Sequence, residues 1–96
     1  MKIRIEHNGH EVDEQFEEQI QTKVGKLEHH YNHIIDAIVY LHEERLIKQV
    51  EIKLSVKDEI LFVKESSDTF LNALEDSVKA MDARLKKYKE RALKNI

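Results

Sequence analysis

Leu71, Leu74, Val78, Met81, Leu85, Tyr88 and Ala92 follow one another at alternating intervals of three and four residues. At about 100° per residue they fall within about 100° of arc, so the last third of the chain reads as an amphipathic helix with a single apolar stripe. A helix of that kind folds only if the stripe is covered. The rhythm lasts about three heptads, too short for a free-standing coiled coil, so packing inside one domain is the better account. The cover is visible in the same sequence: Val50, Ile52, Leu54 and Val56 alternate with Glu51, Lys53 and Ser55, the pattern of a strand with one buried face.

The remaining elements follow from the same two periods. Met1, Ile3 and Ile5 alternate with Lys2, Arg4 and Glu6 in a first strand, and His7-Asn8-Gly9-His10 reads as a turn. Asp13 precedes a helix whose stripe is Phe16, Ile20, Val24, Leu27 and Tyr31, and Glu14, Glu17 and Glu18 suit its dipole. Gly25 lies inside that helix at a cost of about 1 kcal/mol against alanine, which suggests close packing there. Asn32 and His33 end it. Ile34–Glu43 forms a strand with Ala37, Val39 and Leu41 on one face and Ile38, Tyr40 and His42 on the other. Glu44–Ile47 supplies a hairpin connection, and Lys57-Asp58-Glu59 turns the chain into a strand Ile60–Lys64. Ser67 or Asp68 is the expected N-cap of the final helix. The expectation is one α+β domain over residues 1–96, in the order β-α-β-β-β-α, with both helices on one face of a four-stranded sheet.

Composition narrows the chemistry. The chain has no cysteine, so it holds neither a disulfide framework nor a thiolate nucleophile. With two glycines it has no glycine-rich phosphate loop, and its acidic pairs fall in turns and on a polar helix face rather than in a pocket. His29, His30 and His33 cluster at the end of the first helix, and His29 and His33 are spaced as zinc ligands can be. A third ligand is not evident, and imidazoles near a helix C-terminus explain the cluster equally well. No enzyme activity, metal, cofactor or small-molecule substrate is expected. No apolar run suits a signal peptide or a membrane span, so a cytoplasmic protein without a membrane partner is expected.

Charge is distributed unevenly. Residues 79–96 carry seven basic and two acidic side chains, a net +5, while residues 1–78 carry nine and seventeen, a net −8. Lysine at a helix C-terminus accounts for part of this. The rest suggests an acidic partner such as RNA, which lysines and arginines on a rigid helix reach through its phosphates. Lys23 and Lys26 on the first helix join that surface if the helices pack side by side.

Three segments carry a resemblance. Thr22-Lys23-Val24-Gly25-Lys26-Leu27-Glu28-His29-His30-Tyr31, Ser67-Asp68-Thr69-Phe70-Leu71-Asn72-Ala73-Leu74 and Leu85-Lys86-Lys87-Tyr88-Lys89 are similar to the first-helix end, second-helix start and basic helix end of the ribosome hibernation-promoting factors. That family is also labelled ribosome-associated inhibitor or sigma-54 modulation protein. The likeness spans essentially the whole chain, and its element order is the one read above. It implies a partner, the small ribosomal subunit, bound through rRNA in the channel used by mRNA and tRNA, with translation inhibited in stressed or idle cells. It implies RNA contacts at Lys23, Lys26, Lys86, Lys87 and Lys89. Arg84 stands one position from a family arginine, and Arg91 and Lys94 continue the basic end. Ala80 and Ala83 stand where relatives carry lysine and arginine, Leu71 where they carry tyrosine, and Asp58-Glu59 replaces a glycine-containing turn. The chain ends after the basic helix, as a short form would.

An alternative function rests on the sheet. Helices on one face leave the other open, with Ile38, Tyr40 and Phe62 directed there and Arg4 and Lys53 nearby. Exposed apolar side chains of that kind suit a protein-interaction module or a homodimer with weakened RNA binding.

Overall fold

The computed structural model describes residues 1–8, 12–31 and 33–94, apart from the side chains of Leu93 and Lys94. Its elements are β1 (Lys2–His7), α1 (Glu14–Gly25), a 3-10 turn (Lys26–His29), β2 (Asp36–Glu44), β3 (Ile47–Ser55), β4 (Ile60–Ser67) and α2 (Phe70–Lys94). The sheet has four strands in the order β1-β2-β3-β4. β1 runs parallel to β2, joined by the crossover through α1, and the other pairs are antiparallel hairpins. This is the β-α-β-β-β-α architecture expected from the sequence.

Alternation sets the faces. Rows such as Ile5-Val39-Ile52-Val63 and Ile3-Ala37-Leu54-Leu61 run across the sheet on its inner side. Against them pack Ile20, Val24 and Leu27 from the first helical segment and Ala73, Leu74, Met81, Leu85 and Tyr88 from α2, all buried. Each such leucine or isoleucine contributes about 1.5–3 kcal/mol by leaving water. α2 lies over β3 and β4, and α1 lies beside it near β1.

The helix starts are fixed by side-chain caps. Asp13 accepts a 2.7 Å hydrogen bond from the Phe16 amide, as its position suggested. The cap of α2 is Thr69, whose hydroxyl accepts from the Asn72 amide at 3.1 Å. Neither Ser67 nor Asp68 plays that part, because β4 extends past Lys64 and keeps Ser66 and Ser67 paired with Gln49 and Lys48. Phe70 then meets Phe16 with ring centroids 6.1 Å apart, tying the two helix starts together.

Three further expectations need correction. The buried stripe of α2 is rotated toward Ala73 and Ser77: Ser77 is fully buried, its hydroxyl donating to the Leu74 carbonyl at 2.8 Å, while Leu71 and Ala92 are exposed. Gly25 does not serve close packing, since a Cβ there would meet nothing within 4 Å. It is the last α-helical residue before the 3-10 turn rather than an interior one. The hairpin between β2 and β3 is tighter than expected, with Glu44 paired to Ile47 and only Arg45-Leu46 between them. Arg45 takes a left-handed φ of 58°, a conformation costing an L-residue about 1–2 kcal/mol. Gly9, His10 and Asn32, read as turn and helix-end residues, lie outside the described residues.

Candidate nucleic-acid interface

The two helical segments meet side by side over the sheet, and a groove of about 380 Å³ runs between them. Lys23, Lys26 and His30 line it from the α1 side, and Glu75, Lys79 and Asp82 from α2, with Leu27 and Val78 in its floor. Lys23 Nζ lies 3.5 Å from Glu75 Oε1. Asp82 stands between two partners, with His30 Nε2 3.6 Å from Oδ1 and Lys86 Nζ 3.5 Å from Oδ2. Lys89 donates to the His30 carbonyl at 3.3 Å, which fastens the far end of α2 to the end of the 3-10 turn.

The other basic residues of α2 point elsewhere. At 100° per residue, Arg84, Lys87 and Arg91 fall on the flank opposite Lys86 and Lys89. There they surround Glu59 from the β3–β4 turn, and Arg91 pairs with it at 3.0 Å. Of the eight basic residues expected in an RNA surface, Lys23, Lys26, Lys86 and Lys89 therefore border the groove, and Arg84, Lys87 and Arg91 form a second cluster. The Lys94 side chain lies outside the described residues. Lys26, Lys79, Arg84 and Lys87 have no ion pair among the described residues.

Tyr88 holds this end of α2 in place. Its ring is 5% exposed and meets Tyr31 edge-on at 5.5 Å, while Arg91 lies over it at 6.0 Å. Its hydroxyl donates to Asp58 Oδ2 at 3.5 Å, a long hydrogen bond. Burial, with smaller contributions from Tyr31 and Asp58, pushes the phenol up to about 12. The anchor fixes the direction in which Lys87, Lys89 and Arg91 leave the helix.

Sequence reasoning missed Lys79, His30, Glu75 and Asp82 as groove residues. The signal was a second stripe, Glu75-Lys79-Asp82-Lys86-Lys89, at intervals of four, three, four and three, one step round the helix from the apolar stripe. Its charges alternate over the first four members, which disguised it as a solvated face.

The described histidines do not converge on a metal site. His30 faces Asp82, and His33 lies edge-on to Tyr31 at 5.6 Å. Among the described residues no group of three His, Cys, Asp or Glu side chains is placed to hold a metal ion. His10 lies outside them.

The open sheet face carries Ile38, Tyr40 and Phe62 as expected, but they do not form one patch. Across the strands the register reads Arg4-Ile38-Lys53-Phe62 and Glu6-Tyr40-Glu51-Lys64, so β3 puts charge between Phe62 and the other two. Arg4 pairs with Glu6 at 3.2 Å and Lys64 with Glu51 at 3.9 Å. No helix among the described residues is long and apolar enough to cross a membrane.

Comparison with known proteins bears on both fold and family. The structure superimposes on a ribosomal subunit interface protein from Coxiella burnetii with a TM-score of 0.89 and 18% identity, over 94% of this chain and 99% of that one. It superimposes on the N-terminal domain of Protein Y from Thermus thermophilus with a TM-score of 0.85 and 17% identity, over 92% and 99% of the two chains. At these identities the likeness establishes the fold. No curated protein sequence matches the chain. The family profile described as sigma 54 modulation protein / S30EA ribosomal protein matches residues 3–93. Because that match spans nearly the whole chain, the protein belongs to the sigma 54 modulation protein / S30EA ribosomal protein family.

Proposed function

We propose that this protein acts in the cytoplasm by binding rRNA of the small ribosomal subunit, in the channel used by mRNA and tRNA, and so holds translation off. The observation that carries the reading is the convergence of Lys23, Lys26, Lys79, Lys86 and Lys89 along one groove between two helices, with Arg84, Lys87 and Arg91 on the adjoining flank. Family membership and the names of the two similar structures favour a ribosomal partner.

The physics is that of a plug rather than a catalyst. Lysines and arginines held on packed helices neutralise phosphates and release condensed counterions, which supplies affinity without base readout. A-form RNA presents phosphates and 2′-hydroxyls to such a surface. Residues 1–78 carry a net −8 against +5 for residues 79–96, so the polyanion's field turns the basic helix toward it before contact. Inhibition then follows from occupied space, with no reaction or cofactor.

Co-sedimentation with small ribosomal subunits across a salt series tests this, with cell-free translation read in parallel. Affinity should fall steeply with salt, and Lys79→Ala and Lys87→Ala should each flatten the log–log slope by about 0.7–0.9. Binding that is absent at low salt, or indifferent to salt, refutes the proposal.

A further inference from the structure

The groove that is proposed to meet RNA contains two carboxylates of its own. Glu75 and Asp82 lie on the α1-facing stripe of α2, two helical turns apart, among Lys23, Lys26, Lys79 and Lys86. Both already face side chains of the groove: Glu75 Oε1 is 3.5 Å from Lys23 Nζ, and the two oxygens of Asp82 face His30 at 3.6 Å and Lys86 at 3.5 Å.

Neither carboxylate is well used by the fold. The Lys23–Glu75 pair is 31% and 51% exposed, and pairs of that exposure contribute little to stability. Asp82 Oδ1 is shut off from solvent and accepts no hydrogen bond among the described residues. The His30 Nε2 that faces it, at 3.6 Å, stands beyond hydrogen-bond reach. A shielded oxygen left without a donor is unfavourable for the folded chain.

We infer that Glu75 and Asp82 are internal counter-anions of the RNA-binding groove, which occupy Lys23, Lys86 and His30 and set the affinity for the small subunit below what the lysines alone would give. The inference rests on the ribosome-binding reading above and assigns these two residues the control of its strength. A phosphate that takes Lys23 or Lys86 must displace its carboxylate and then tolerate it nearby. The penalty is local, because charges farther away than about 8–10 Å are screened at physiological salt.

The experiment compares the full chain with Glu75→Gln, Asp82→Asn and the double variant, by co-sedimentation with purified small ribosomal subunits over a salt series. Asp76→Asn is the control, removing the same charge from the next, exposed position, about 100° round α2 from Glu75. Each groove variant should bind about threefold tighter and the double variant about tenfold, with a log–log salt slope steeper by about 0.7 for each lysine released. Asp76→Asn should change affinity far less. Asp82→Asn should melt no lower than the parent, since it removes a carboxylate oxygen that has no donor.

Salt-dependent binding by the parent that does not tighten in the variants overturns this inference and leaves the ribosome-binding reading standing. An Asp76→Asn gain equal to that of Glu75→Gln overturns it in favour of bulk charge. A marked fall in melting temperature for Asp82→Asn without a gain in affinity overturns it in favour of a structural role. Binding by neither parent nor double variant at low salt refutes both readings, whereas binding that appears only in the double variant supports the inference.

Discussion

Replacing Gly25 with alanine should stabilise the protein without altering the charges of its proposed binding surface. Gly25 has φ −58° and ψ −29°, an ordinary right-handed helical conformation that alanine adopts freely. A Cβ built there meets nothing within 4 Å, so the native state gains no clash. The benefit comes from the unfolded chain, which loses conformational freedom, and amounts to about 0.4–1 kcal/mol at a compatible site. Because α1 ends at this residue, the gain belongs to the lower half of that range. For a domain of this size about 0.5 kcal/mol raises the melting temperature by about 2–4 °C. Thermal unfolding followed by circular dichroism measures it. A lower melting temperature would refute the reasoning, since it would require either a neighbour close to position 25 or a different backbone there. The same variant probes the groove: Gly25 lies between Lys23 and Lys26, and unchanged small-subunit affinity is expected because only RNA pressed against the backbone would feel the new methyl group.

Other expectations concern charge, ionisation and the open sheet face. Ala83 is exposed, so Ala83→Arg should steepen the salt slope of small-subunit binding by about 0.7; Ala80 packs partly against the core, so Ala80→Lys must bend its chain outward and should add less. If the double change leaves affinity unaltered, the RNA face has been misplaced. Burial holds the Tyr88 phenol at about 12 in the folded protein against about 10 when unfolded. The unfolded state therefore releases this proton first, and stability should fall as pH rises from about 10 toward 12. In Tyr88→Phe that part of the alkaline loss should vanish, and a melt-versus-pH series that is identical in both proteins would contradict it. Light scattering should return a monomer for both the parent and Phe62→Glu, since Lys53 and Glu51 divide the apolar residues of the open face; a parent dimer lost on substitution would revive the interaction-module reading.

The fold was largely legible because its core is written in clean periods. Alternation at Val50, Ile52 and Leu54 and the three-four spacing at Leu74, Val78, Met81, Leu85 and Tyr88 each admit one structure. What escaped has a physical reason in each case. Ser77 fills a place in the buried stripe of α2 by bonding its own helix backbone, so a polar letter hid a core position. Thr69 rather than Ser67 caps α2 because cross-strand pairing, a long-range effect, claimed the serines. Arg45 occupies a left-handed turn position that chain chemistry assigns to glycine or asparagine. The basic surface was legible as a list of residues but not as an arrangement. Only the packing angle of the two helices decides that Lys86 and Lys89 border the groove while Arg84, Lys87 and Arg91 lie across α2 from it.

The parallel pairing of β1 bears on how firmly the two walls of the proposed binding surface are held. β1 is hydrogen-bonded on one side only, to a strand that begins 29 residues after it ends, whereas β2, β3 and β4 are joined by short hairpins, with β3 and β4 under α2. Closing the longer loop is the slower step, so the hairpin sheet with α2 makes up a cooperative unit to which β1 and α1 dock late. Late-docking units are also the first to open from the native state. Backbone amides of β1 and α1 should therefore exchange with solvent sooner than those of β3. Lys23 and Lys26 travel with that segment, so one wall of the groove belongs to the less stable half of the molecule, and bound RNA that grips both walls would slow its exchange.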